Sequence, residues 1–135
     1  MKWKTMAAAG LALGTLFGAL VAAPVAQAAE KYKVFLAMSW IGNDWQTGAM
    51  NMVTALSRHK DYIDKIDFSV QASGDNAQRQ IQQINAMVQQ GADVIIVYPI
   101  SPTALNQVIK NACERGVVVF TYDSVVEEPC AYHVG

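Results

Sequence analysis

Four short stretches hold most of the side chains able to grip or transform a small molecule. They are Ser39-Trp40-Ile41-Gly42-Asn43-Asp44-Trp45, Gln71-Ala72-Ser73-Gly74-Asp75, Pro99-Ile100-Ser101 and Asp123-Ser124. Flat indole rings beside short hydroxyl, amide and carboxylate groups suit a sugar. Its C–H face packs on an aromatic ring while its hydroxyls need paired donors and acceptors. Asp123 is the sharpest candidate, because it directly follows an apolar run and its carboxylate can accept two hydroxyl protons. Such charge-assisted bonds are roughly twice as strong as neutral ones. The competing role for Asp123 is a cap on the turn that follows. Trp45 either lies over a crevice or wedges between helix and sheet, and its position alone leaves both open. Asn43 and Asp44 also suit the start of a helix, and one of them is expected to cap it.

Signatures of catalysis are weak. The sequence contains no G-x-G-x-x-G after its first strand, no phosphate-loop motif and no G-x-S-x-G elbow. Cys113 falls well along a helical pattern, away from the candidate site. His59 sits in Arg58-His59-Lys60 at a helix end, where the helix dipole accounts for it. Two isolated cysteines with only His59 and His133 match no metal-ligand spacing, so neither metal nor cofactor is expected.

The elements that must position these stretches alternate regularly. Apolar runs at Lys33–Met38, Ile66–Val70, Asp93–Tyr98 and Val117–Tyr122 read as strands, with a fifth starting at Tyr132-His133-Val134. Between them, Ala49, Met52, Val53 and Leu56 make one face of a helix from Asp44 to about His59. Ala77, Ile81, Ile84 and Val88 do the same from about Asn76 to Gln90, with Gly91 as a stop. Ser101 followed by Pro102 predicts the N-cap and first turn of a helix carrying Leu105, Val108, Ile109 and Ala112. The fold class expected is α/β, an open doubly wound parallel sheet with helices on both faces. In such a sheet ligands bind beyond the carboxyl ends of the strands, which is where all four polar stretches fall.

At the amino terminus, Lys2 and Lys4 precede an uncharged run from Met6 to Ala23, then Pro24 and the small-x-small pattern Ala26-Gln27-Ala28. This order predicts a secretory signal at residues 1–28 and an exported, periplasmic domain at 29–135. The whole chain carries a net charge of −1, and the expected mature part is more acidic still without Lys2 and Lys4. A mildly acidic surface without basic clusters argues against nucleic acid and anionic membrane as partners. In an oxidising compartment Cys113 and Cys130 are expected to form a disulfide worth about 3 kcal/mol, the alternative being two buried thiols.

In order and spacing together, four motifs carry a family resemblance. They are the opening strand with Ser39 to Trp45, Gly74-Asp75-Asn76-Ala77-Gln78 with its Gln-rich helix, Gly91-Ala92-Asp93-Val94-Ile95-Ile96-Val97 leading to Pro99, and Gly116-Val117-Val118-Val119 leading to Asp123. With these the chain resembles periplasmic sugar-binding proteins of the ribose-binding type, the type I solute-binding proteins of ABC transporters. The resemblance implies two lobes joined by a hinge that closes on a monosaccharide or related solute. It further implies docking on the membrane permease of an ATP-driven importer and, for some members, on a chemoreceptor. It places a polar sugar contact at Asn43, an aromatic stack at Trp45, a sugar-binding carboxylate at Asp123 and a nearby contact at Ser39.

The sequence departs from the family pattern in three places. Asp44, Trp45 and Gln46 stand where proline and paired phenylalanines are common, Tyr98 replaces a frequent asparagine before Pro99, and Ser124 replaces an arginine after the aspartate. Tyr98 thereby joins the candidate site, and the changes point from ribose to a larger or differently substituted sugar, a polyol or an autoinducer-like compound. The resemblance also implies a second lobe beyond Gly135, and an exposed sheet edge without it.

The function expected is solute binding with no chemistry. A transcriptional regulator of the same fold is disfavoured by the export signal. The rivals are a small exported hydrolase using Asp123 with Asp75 or Asp44, and a periplasmic sensor or chemotaxis ligand carrier.

Overall fold

The computed structural model describes residues 30–135, so the predicted secretory signal lies outside the described residues. Strands β1 (Tyr32–Met38), β2 (Ile66–Ala72), β3 (Val94–Tyr98), β4 (Val118–Tyr122) and β5 (Tyr132–Val134) alternate with helices α1 (Asp44–Ser57), α2 (Ala77–Gln89) and α3 (Asn106–Glu114). All strand pairs are parallel, in the order β2-β1-β3-β4-β5. This is the doubly wound sheet the sequence predicts. The chain steps from β1 to β2 on one side and then crosses to β3 on the other, which makes the junction of β1 and β3 the topological switch point.

Side-chain alternation divides the sheet into two unequal faces. Phe35, Ala37, Ile95, Val97 and Val119 interlock with Ile84 and Met87 of α2 and with Val108, Ile109 and Ala112 of α3. This face is the core, and most of these residues are fully buried. Leu36 and Met38 point to the opposite face, where α1 packs. Coverage there is thin. Two open apolar hollows of about 240 and 290 Å³ flank α1, one toward Phe68 and the other toward Phe120.

Helix ends follow the local chemistry. Asn76 caps α2 by accepting from the Arg79 backbone N–H at 2.8 Å. Its far end closes with a Schellman arrangement: Gly91 N–H reaches Val88 O and Ala92 N–H reaches Met87 O, both at 3.1 Å. Gly91 holds φ at +79°, which explains why glycine stands at that stop.

Three expectations need correction. The helix predicted to open at Ser101 begins five residues later, at Asn106. Ser101 Oγ accepts from Thr103 N and Ala104 N, at 3.3 and 3.2 Å, but what it caps is a turn that leads directly into α3. Leu105 still reaches the core, from that turn rather than from the helix. Helix α1 forms, yet its predicted buried stripe is poorly buried: Met52 is 72% and Leu56 55% exposed. Helical periodicity records an apolar face but not whether anything covers it. Finally, α1 ends at Ser57, so His59 lies beyond the helix, where its Nδ1 sits 3.4 Å from Asp61 Oδ2.

Cys113 at the end of α3 is bonded to Cys130, the predicted pairing, across a separation of 17 residues. The bond ties the segment between β4 and β5 to the core helix. Replacing both cysteines by alanine is expected to lower the unfolding free energy by about 3 kcal/mol. A urea titration with an unchanged midpoint would contradict this.

Candidate functional site

The carboxyl ends of the strands are bound together before any ligand is considered. The Ser39 backbone N–H donates to Tyr98 O at 3.1 Å, joining the ends of β1 and β3. Ser73 is buried, and its backbone N–H donates to Met38 O at 2.9 Å while its hydroxyl lies 3.2 Å from Ser39 O. Gln80, fully buried on α2, bridges three more backbone groups. Its Nε2 donates to Tyr98 O at 2.8 Å and Ala37 O at 3.3 Å, and its Oε1 accepts from Ile100 N at 3.0 Å. The Gln80 amide thus adds side-chain partners to backbone groups at the strand ends.

Asn43 is the N-cap of α1, its Oδ1 accepting from Gln46 N at 3.0 Å. The capping role therefore falls to Asn43, and Asp44 occupies the first turn, where a negative charge favours the helix dipole. Because the cap engages Oδ1, the exposed Asn43 amide keeps its two N–H donors for another partner. Trp45 is 63% exposed, which excludes the role of a wedge between helix and sheet. Trp40 is also exposed, and its indole lies so close over Gly42 that a Cβ built there would fall within the ring.

Tyr98 and Tyr122 end the neighbouring strands β3 and β4 with their ring centroids 5.5 Å apart. The Tyr98 hydroxyl accepts from Gln46 Nε2 at 3.1 Å, and the Tyr122 hydroxyl donates to Met38 Sδ at 3.2 Å. The Tyr122 phenol is pushed up to about 12, mainly by burial, then by Tyr98 and by the charge of Asp123. It thus stays a protonated donor at any ordinary pH.

Asp123 is exposed with φ at +63°, and the Ser124 N–H closes on Tyr122 O at 2.7 Å, a tight γ-type turn centred on the aspartate. Among the described residues it alone, apart from glycines, has positive φ. Aspartate tolerates that region better than most residues, though at a cost.

Of the five predicted binding residues, Asn43, Trp45 and Asp123 are exposed at the strand ends, and Tyr98 is half-buried beside them. Ser39 is only 5% exposed and serves the loops through its backbone. Sequence reasoning missed Gln46, Gln80 and Tyr122. Tyr122, last in its strand and next to Asp123, was legible as a strand-end residue. A glutamine bridging distant strands leaves no local signal.

A parallel sheet with exposed aromatic, amide and carboxylate groups at its switch-point edge is the arrangement in which open α/β sheets place ligands. Residues 34–135 match the family of the periplasmic binding protein domain, and the chain belongs to it. A 59-residue stretch is 32% identical to the D-xylose-binding periplasmic protein of Escherichia coli K12, covering 44% of this chain and 18% of that protein. Among solved structures, a periplasmic ribose ABC transporter protein from Conexibacter woesei is 27% identical with a TM-score of 0.68, over 80% of this chain and 35% of that one. An ABC transporter solute-binding protein from Thermobispora bispora is 31% identical with a TM-score of 0.64, over 76% and 33%. The myo-inositol-binding protein of Caulobacter, 22% identical over 79% and 36%, shares the fold with a TM-score of 0.70. The chain spans about a third of the length of these solved relatives.

Two variants test this geometry. Asp123→Gly is expected to raise stability by up to about 1 kcal/mol in chemical denaturation, because glycine adopts positive φ without strain; a destabilised variant would show that the aspartate side chain supports the turn. Gly42→Ala is expected to displace the Trp40 indole and shift its fluorescence to the red, measured in a Trp45→Phe background. An unchanged spectrum would mean that the indole does not depend on that close approach.

Proposed function

We propose that this chain supplies one lobe of an exported solute-binding protein that delivers a monosaccharide or polyol to an ABC importer, residues 1–28 being its export leader. The observation that carries this is the trio of exposed groups at the strand ends: the Trp45 ring, the Asn43 amide donors and the Asp123 carboxylate. A ring, a donor and a charged acceptor on one edge match the alternating apolar and hydroxyl faces of a sugar. The four strand-end stretches contain no lysine or arginine, which favours a neutral ligand over an anionic one. Tyr98 adds a phenol to the same edge, and Ser39 holds the loop from which Asn43 and Trp45 project. A second lobe closing over this edge would exclude water and strengthen each polar contact. Family relatives named for D-xylose, ribose and myo-inositol support the ligand class.

The test is calorimetry on the full-length protein with D-xylose, D-ribose, D-allose, myo-inositol and glycerol. At least one is expected to bind and to be recovered unaltered, with Asp123→Asn weakening it roughly 10- to 100-fold, the loss of a charged hydrogen bond. Turnover of the sugar would make the chain an enzyme instead. Unchanged affinity in Asp123→Asn would remove the aspartate from the site.

A further inference from the structure

Beyond Tyr122 the chain turns back from the strand-end edge to begin β5 at Tyr132, and the returning stretch has no helix or strand of its own. It opens on Asp123, whose positive φ is a conformation that persists only where its surroundings impose it. On one side of the aspartate stands β4, paired to β3 from Val118 to Thr121. On the other side the non-covalent ties are light. The Glu127 backbone N–H donates to Pro102 O at 2.9 Å, Val126 packs against the core, and β5 is an edge strand of three exposed residues. The strong tie is covalent: the Cys113–Cys130 bond closes a loop that leaves α3, runs along β4, turns at Asp123 and returns to α3.

The ties at Val126, Glu127 and Cys130 all lead to α3 or the turn before it. Pro102 opens that turn, and the core against which Val126 and Cys130 pack includes Val108, Ile109 and Ala112. The turn at Asp123 is thereby held between β4 and α3. We propose that the Cys113–Cys130 bond is a positioning clamp for Asp123, keeping the aspartate in the turn that sets its carboxylate at the strand ends. The proposal rests on the strand-end edge being the sugar site and adds what fixes the geometry of its charged group. Without the bond the aspartate spends part of its time at ordinary negative φ. Apparent affinity then falls in proportion to the fraction of molecules still competent to bind.

Two variants of the full-length protein test this: Cys113→Ala/Cys130→Ala, and Val126→Ala, which loosens the same segment with the disulfide in place. Ile84→Val, a core change on α2, is the control for general destabilisation. In both test variants amide hydrogen exchange at Ser124 and Glu127 is expected to speed up roughly tenfold while the β3 amides stay protected. Affinity for whichever of D-xylose, D-ribose, D-allose, myo-inositol and glycerol binds the wild type is then measured by calorimetry. It is expected to fall roughly tenfold in the cysteine variant, less in Val126→Ala, and to hold in Ile84→Val. Unchanged exchange at Ser124 would overturn the clamp, and Val126→Ala decides this even if the cysteine variant does not fold. Wild-type affinity in a folded cysteine variant would overturn it too, leaving the sugar-binding role intact. So would losses that Ile84→Val shares, which assign the bond to general stability alone. A wild type that binds none of the five would overturn the sugar reading, and the exchange comparison then decides the clamp by itself.

Discussion

Strands buried on both faces can offer backbone groups to a ligand only at their ends, and there each strand leaves carbonyls and amides that no neighbour satisfies. The buried amide of Gln80 resolves that problem at the switch point. By bonding Tyr98 O, Ala37 O and Ile100 N it joins α2 to the ends of β1 and β3. Ser39 N–H and Ser73 add further bonds between the same loops. The exposed residues at this edge depend on this frame. Asn43 and Trp45 leave β1 through a loop latched to β2 and β3, and Tyr98 is held through its own carbonyl.

At this edge several local preferences are not met. Asp123 sits in a backbone region better suited to glycine, Trp45 exposes most of its ring, and Gln46 buries an oxygen without a partner. Elsewhere agreement is incomplete: α2 has a capped start and a Schellman end, but Gln83 Oε1 and Asn106 Oδ1 are also buried without partners and the apolar stripe of α1 is uncovered.

The two faces of the sheet differ in how well they are closed. The face under α2 and α3 is a dense core, and the Cys113–Cys130 bond fastens the segment after Asp123 to that side. The face under α1 is covered by a single helix and retains apolar hollows on either side of it. Burial is thus concentrated on the core side, while α1, which carries the cap and the exposed tryptophan, covers its face only in part.

Much of this was legible in the residues. Strand and helix periods, β-branched runs and Gly91 specify a parallel α/β sheet because they act over a few neighbouring positions. The rule that ligands meet strand ends nominates Asn43, Trp45 and Asp123, which the fold leaves exposed there, and Cys113 is bonded to Cys130, as expected. Other features arise from contacts between residues far apart in the chain, which no local pattern records. Ser101 bonds a turn rather than a helix, and the stripe of α1 stays open because nothing in the described chain packs over it. The amide of Gln46 meets Tyr98 because α1 lies against the end of β3, and the phenol of Tyr122 reaches Met38 because the sheet order sets β1 and β4 on either side of β3. Sequence determined which residues stand at the edge of the sheet; tertiary packing decided which of them hold one another and which remain exposed.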